Sequence, residues 1–126
     1  MAGLNGAPKP LVAGNWKMNG LKSGLQEALA VRDALSGPLA ALPVAVMIAP
    51  PTTLLMVMAE ACRGGNLAFA GQDCHVKASG AHTGDIAPEM LKEAGATAVI
   101  VGHSERRTDH GETDSTVREK AIAAHR

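Results

Sequence analysis

Thr97-Ala98-Val99-Ile100-Val101-Gly102-His103-Ser104-Glu105-Arg106-Arg107-Thr108 runs from a short β-type strand straight into a polar knot. An imidazole, a hydroxyl, a carboxylate and two guanidinium groups crowd one strand end, which is where parallel α/β folds keep their chemistry. Working outward, a second knot, Gly14-Asn15-Trp16-Lys17-Met18-Asn19-Gly20, closes the first apolar strand, Leu11 to Asn15, in the same manner.

Periodicity fills the space between the two knots. Ser23 to Leu35 reads as a helix with Leu25, Ala28, Leu29, Arg32 and Leu35 on one stripe, the Ser23/Gln26 spacing of a capping box and a stop at Gly37-Pro38. Pro43 to Ala49 is a second strand. After Pro50-Pro51 a helix is predicted from about Thr52 to Arg63, ended by Gly64-Gly65. Leu67 to Gly71 is the third strand. The connection from Gln72 to Ile86 is polar and Gly-punctuated, a length more often functional than idle. Pro88 suits the first position of a helix running to about Ala94. Thr97 to Val101 is the fourth strand, and Asp114 is expected to cap a helix from Ser115 to beyond His125. Strand and helix thus alternate four times. Apolar strands without strict alternation indicate a parallel sheet covered by helices.

The 126 residues, 46% of them apolar, suffice for one ordinary core. Twelve basic residues balance 12 acidic ones without a cationic block, so the footprint of a nucleic-acid or anionic-membrane binder is missing. A small neutral or anionic substrate held by local cations fits this balance. Met1 to Pro8 lacks a signal-peptide pattern and no apolar run approaches the roughly 20 residues of a membrane helix, so a soluble cytoplasmic protein is expected. Cys62 and Cys74 lack the spacing of a zinc site or disulfide framework and read as reduced structural thiols. With one Trp, one Phe and no Tyr, the core must be aliphatic.

Asn15 and Lys17 are two apart, so in an extended segment both project to one side, with an ammonium available for a phosphate or an oxyanion. A solvated strand-end lysine beside an Asn-Gly turn fits these residues equally well. By the same alternation His103 shares a face with Val99 and Val101, taken as the interior face of the sheet, and a helix starting after it favours a neutral imidazole that can donate to a carbonyl. A structural histidine bonded to backbone is the commoner case for that residue alone, as is a solvated helix start for Glu105, Arg106 and Arg107. Ser104 is not read as a nucleophile, because no elbow glycine or Asp/Glu-then-His order follows it. Cys74, His75, His82 and His110 match no zinc pattern and read as loop residues. No glycine-rich nucleotide fingerprint follows any strand.

Together, the two knots and a third segment, Gly71-Gln72-Asp73-Cys74 through Gly80-Ala81-His82-Thr83-Gly84, resemble the triosephosphate isomerase family from about Pro10 to Arg126. The resemblance implies a TIM (β/α)8 barrel, which needs roughly 250 residues. This chain would hold its first four βα units as a single incomplete domain, residues 1–126. It also implies a cofactor- and metal-free interconversion of dihydroxyacetone phosphate and glyceraldehyde 3-phosphate through an enediolate, a step of glycolysis and gluconeogenesis. Asn15 and Lys17 would bind substrate, His103 would polarise the carbonyl, Ser104 would support the site and Glu105 would pair with Lys17 and assist proton handling. The Gln72 to Ile86 loop would insert beside the active site of the second copy in a homodimer. Thr83 would then reach the other copy's Asn15 and Lys17 region, with Cys74 and Gly80 in the interface. Asp85, where relatives commonly carry the longer Glu, would pair across the dimer with Arg106.

The family's catalytic base is a Glu on the loop after the sixth strand, and no residue here matches it. The chain by itself is therefore expected to be inactive, a general base contributing about 10² to 10⁴ in rate. Two other expectations stand beside this one. The first is a non-catalytic half-barrel that self-associates through its open sheet edges. The second is an interaction protein that uses the Gln72 to Ile86 loop as its contact surface.

Overall fold

Runs such as Ala45–Ala49 and Leu67–Gly71 hold no polar side chain and so demand cover on both faces. The computed structural model describes residues 6–126, and the reading of Met1 to Pro8 falls mostly outside them. Its elements are β1 (Leu11–Asn15), a 3-10 turn (Lys22–Gly24), α1 (Leu25–Ser36), β2 (Ala45–Ala49), α2 (Thr52–Ala61) and β3 (Leu67–Gly71). They continue with α3 (Pro88–Glu93), β4 (Ala98–Val99), α4 (Ser104–His110) and α5 (Asp114–His125). The strands form one parallel sheet in the order β1-β2-β3-β4, with Asn15 opposite Ala49, Ile48 opposite Phe69 and Gly71 opposite Val99.

The two faces of the sheet differ. On the helix side Ile48, Leu67 and Phe69 pack with Ala28 and Leu35 of α1, Leu54, Leu55 and Met58 of α2, and Leu91 of α3. On the other, Met47, Ala49 and Ala70 form a smaller cluster with Ala68 and Ile100. This placement corrects the alternation argument for His103. Val99 and Val101 pack toward the helices, whereas Ile100 occupies the opposite face. Gly102, at φ +66°, then breaks the alternation before His103.

Local capping departs from expectation in two places. The Ser23/Gln26 box does not form: a 3-10 turn precedes α1, whose N-cap is Gly24 with no side-chain bond. The cap of α5 is Thr113, whose Oγ1 accepts from Thr116 N–H at 3.2 Å, and Asp114 is the first helical residue. Both helices keep their predicted apolar stripe or span, because burial rather than the cap fixes where they lie. β4 is shorter than predicted. Its ladder nonetheless extends on both sides through Thr97 N–H to Phe69 O at 2.9 Å and Ile100 N–H to Gly71 O at 2.9 Å.

The exit of β3 is anchored by charge. Lys120 of α5 reaches Asp73 and Glu112, each at 2.8 Å, and Arg106 of α4 binds Glu112 at 2.6 Å and Asp73 at 3.1 Å. Glu112 and Lys120 side chains are only 5% and 10% exposed, so little solvent screens them. Glu112 Oε1 is buried without a hydrogen-bond partner among the described residues. Burial opposes the charged form of each group, yet the hydrogen bonds from Lys120 and Arg106 hold Glu112 below the usual carboxylate range. Likewise Asp73 and Glu112 hold Lys120 above the usual ammonium range against the same penalty.

Glu112 stabilises the fold above its unfolded-state value, and that contribution is lost as pH falls through the lower folded value. Lys120 stabilises below its unfolded-state value, and its contribution is lost as pH rises through the higher folded value. Glu112→Gln is expected to cost about 1–3 kcal/mol at neutral pH. Urea unfolding of variant and parent at a series of pH values should show the gap closing on acidification. Leu55, fully buried, gives the matching apolar test: Leu55→Ala should lower unfolding stability by about 2–5 kcal/mol at all of these pH values.

Candidate active site at the carboxyl edge of the sheet

At Lys17 the backbone leaves the extended conformation. Its φ is +54°, the one positive value at a non-glycine position among the described residues, a strain of about 1–3 kcal/mol. The extended-segment geometry expected for Asn15 and Lys17 therefore does not hold. Asn15 Oδ1 accepts the Lys17 backbone N–H at 2.8 Å, and Asn19 Nδ2 donates to Trp16 O at 3.0 Å, so two side chains knit the turn. The indole of Trp16 lies over Gly20 and Gly24, where a Cβ would come within 3.0 and 2.9 Å of the ring.

At the end of β4 a second turn aims His103. Gly102 combines its left-handed φ with close packing: a Cβ there would sit 2.6 Å from Val117 Cγ2. The carbonyl of Gly102 accepts from Arg107 Nε at 3.0 Å, and Arg107 Nη1 in turn binds Asp114 Oδ1 at 2.7 Å. His103 is the N-cap of α4, and its Nδ1 accepts the Glu105 backbone N–H at 3.1 Å. That bond uses the Nδ1 lone pair, so the proton of the neutral ring resides on Nε2, which is left to donate. Glu105 Oε2 lies 3.6 Å from Nδ1, beyond hydrogen-bond distance.

The two turns meet through charge. Lys17 Nζ stands 2.8 Å from Glu105 Oε1, both side chains being about half exposed. The hydrogen bond from Lys17 is the main reason that the Glu105 carboxyl is held below its usual range. One ammonium, one carboxylate and one oriented imidazole thus converge at the carboxyl ends of β1 and β4. Such a group can neutralise an anion and donate to a carbonyl oxygen. Asn15 joins it through the backbone of Lys17, and Ser104 is exposed at the start of α4.

The remaining candidates lie along the loop after β3. Gly80, Thr83 and Asp85 are exposed. Cys74 is 1% exposed, its Sγ 3.8 Å from Lys120 O, and burial raises the pKa of its thiol. Arg106 commits Nε and Nη2 to Glu112 and Asp73 of its own chain. The loop is drawn closed at its neck by His75 N–H to Ile86 O at 2.9 Å, and His75 and His82 stack with centroids 4.0 Å apart.

Sequence reasoning passed over Gln72, whose Nε2 donates to Lys17 O at 2.8 Å and Ala49 O at 2.9 Å. It also gave no role to Asp73, Glu112 or Lys120. Gln72 directly follows a strand, the signal that singled out Asn15 and His103. The others are spread over three elements and carry no local pattern.

Comparison with known proteins identifies the family. Residues 10–126 match the family model described as triosephosphate isomerase. The triosephosphate isomerases of Bradyrhizobium diazoefficiens and Afipia carboxidovorans are 54% and 57% identical over 123 residues, covering 98% of this chain and 48% of each relative. A solved triosephosphate isomerase from Bartonella henselae superposes with a TM-score of 0.87 at 44% identity, over 94% of this chain and 48% of that one. The chain spans about half the length of the relatives it matches, and its sheet is half of a TIM barrel. With 117 consecutive residues inside the family model and both polar knots placed at one sheet edge, the chain belongs to the triosephosphate isomerase family.

Proposed function

We propose that these residues are the first half of a triosephosphate isomerase and supply the electrophile and the cation of its active site. The observation that carries the proposal is the Lys17–Glu105–His103 group, with the imidazole capped at Nδ1 and free to donate from Nε2. Dihydroxyacetone phosphate would place its carbonyl oxygen at His103 Nε2 and its anionic charge near Lys17. As a base elsewhere in the protein removes the adjacent carbon-bound proton, negative charge grows on that oxygen. The neutral imidazole stabilises it by hydrogen bonding and exchanges a proton with the enediolate, the arrangement established for this enzyme family. Glu105 anchors Lys17 and is placed to assist proton handling; Asn15 holds the turn beneath it, and Ser104 flanks the site.

No carboxylate of this group is positioned to serve as the carbon base, Glu105 being paired with Lys17. We therefore read residues 1–126 as one incomplete barrel domain, inactive until joined to the half that carries the base. The reaction is the aldose–ketose step of glycolysis and gluconeogenesis, in the cytoplasm, without a cofactor. The exposed Gly80, Thr83 and Asp85, backed by buried Cys74, suit a loop that docks on a second copy, with Arg106 behind it.

A second reading is favoured by one observation: Leu11 and Val12 on the open edge of β1 are 52% and 57% exposed, and a groove of about 970 Å³ lies beside β4 between α3 and α5. A half-barrel so exposed would associate with a second copy of itself and have no catalytic role. Light scattering of the 126-residue chain decides this, a monomer refuting it.

For the main reading, the full-length protein should convert dihydroxyacetone phosphate to glyceraldehyde 3-phosphate in a coupled assay, while residues 1–126 alone should not. Absence of turnover by the full-length protein refutes the assignment. His103→Asn in that protein should lower kcat by about 10² to 10⁴ while thermal unfolding changes little.

A further inference from the structure

Both backbone polar groups of Lys17 are tied by side chains. Asn15 Oδ1 takes the N–H at 2.8 Å, and Gln72 Nε2, from 55 residues away, gives a proton to the C=O at 2.8 Å. The second Gln72 amide proton goes to Ala49 O at 2.9 Å, a carbonyl that also accepts Trp16 N–H at 3.0 Å. One primary amide at the end of β3 therefore spans the end of β2 and grips the turn after β1. No other side chain donates to the Lys17 carbonyl among the described residues. Lys17 holds a left-handed φ that a lysine rarely adopts, and such a conformation persists only where its surroundings over-determine it.

We propose that Gln72 is the positioning residue for Lys17, its two N–H groups holding the left-handed turn that directs the ammonium toward Glu105 and the substrate's anionic group. The claim rests on reading Lys17 as the substrate's cation. Gln72 touches no reacting atom and acts through the Lys17 backbone alone. The chemistry requires a donor pair of this length: a methionine fills about the same space without any N–H donor, and a glutamate sets a carboxylate against two carbonyl oxygens.

Gln72→Met and Gln72→Glu in the full-length protein test this. With the turn released, the Lys17 ammonium leaves Glu105, and the Glu105 carboxyl, followed by carbon-detected NMR, should titrate at higher pH than in the parent. KM for dihydroxyacetone phosphate should rise about tenfold, the size of one lost hydrogen bond, with kcat falling less than KM rises. A merely structural role would shrink the active fraction, lowering kcat at constant KM, and that result overturns the proposal. An unmoved Glu105 titration in both variants overturns it as well. Should one variant not fold, the other supplies the same readouts. If the parent protein turns over no triose phosphate, the functional reading fails by itself, and the Glu105 titration still decides the claim for Gln72.

Discussion

Parallel hydrogen-bond pairing in the order β1-β2-β3-β4 leaves every carboxyl end on the same sheet edge, and the site follows from that edge. Parallel neighbours cannot be joined by a tight turn, so each connection must cross back over the sheet, and the crossovers supply the helices that bury Ile48, Leu67 and Phe69. Residues far apart in the chain then arrive side by side. Lys17 leaves β1 and Glu105 follows β4, yet their charged atoms lie 2.8 Å apart. The apolar core makes the sheet, and the turns that leave β1 and β4 at its carboxyl edge bring the two charges together.

Within that frame the tripeptide after β3 divides its work. Gln72 turns toward the ends of β1 and β2, Asp73 turns toward Arg106 and Lys120, and Cys74 is buried under α5. The cation–carboxylate network around Asp73 and Glu112 fixes α4 and α5 relative to the exit of β3. Since α4 begins at Ser104, directly after its His103 cap, the network also steadies the imidazole from behind. The long loop departs from this anchored root, which leaves its exposed tip free to face outward while its neck stays tied.

The strands, the helix stripe of α1 and the polar ends of β1 and β4 were readable in the sequence because each is a local pattern of period two or period 3.6. Pattern reading lost its grip where a single residue changes the backbone's direction. Gly102 and Lys17 both adopt positive φ, so alternation could not say where His103 or Lys17 would point, and it assigned Val99 and Val101 to the wrong face. The caps lie one position away from those expected, because a 3-10 turn takes up Ser23 before α1 and Thr113, directly ahead of Asp114, caps α5 in its place. The ionic network was invisible because Asp73, Arg106, Glu112 and Lys120 converge only after the sheet exists. Resemblance to the family pointed to candidate site residues where spacing alone left two accounts open.

Trp16 gives the molecule an optical property. It is the single tryptophan of a chain that has no tyrosine, and its ring lies against Gly20 and Gly24 immediately beside the turn at Lys17. Tryptophan emission excited in this segment therefore originates at one spot, and that spot borders the lysine of the site. The segment carries its own fluorophore at the place where rearrangement of the turn would alter the packing around an indole, so the state of that turn can be followed by light without any label.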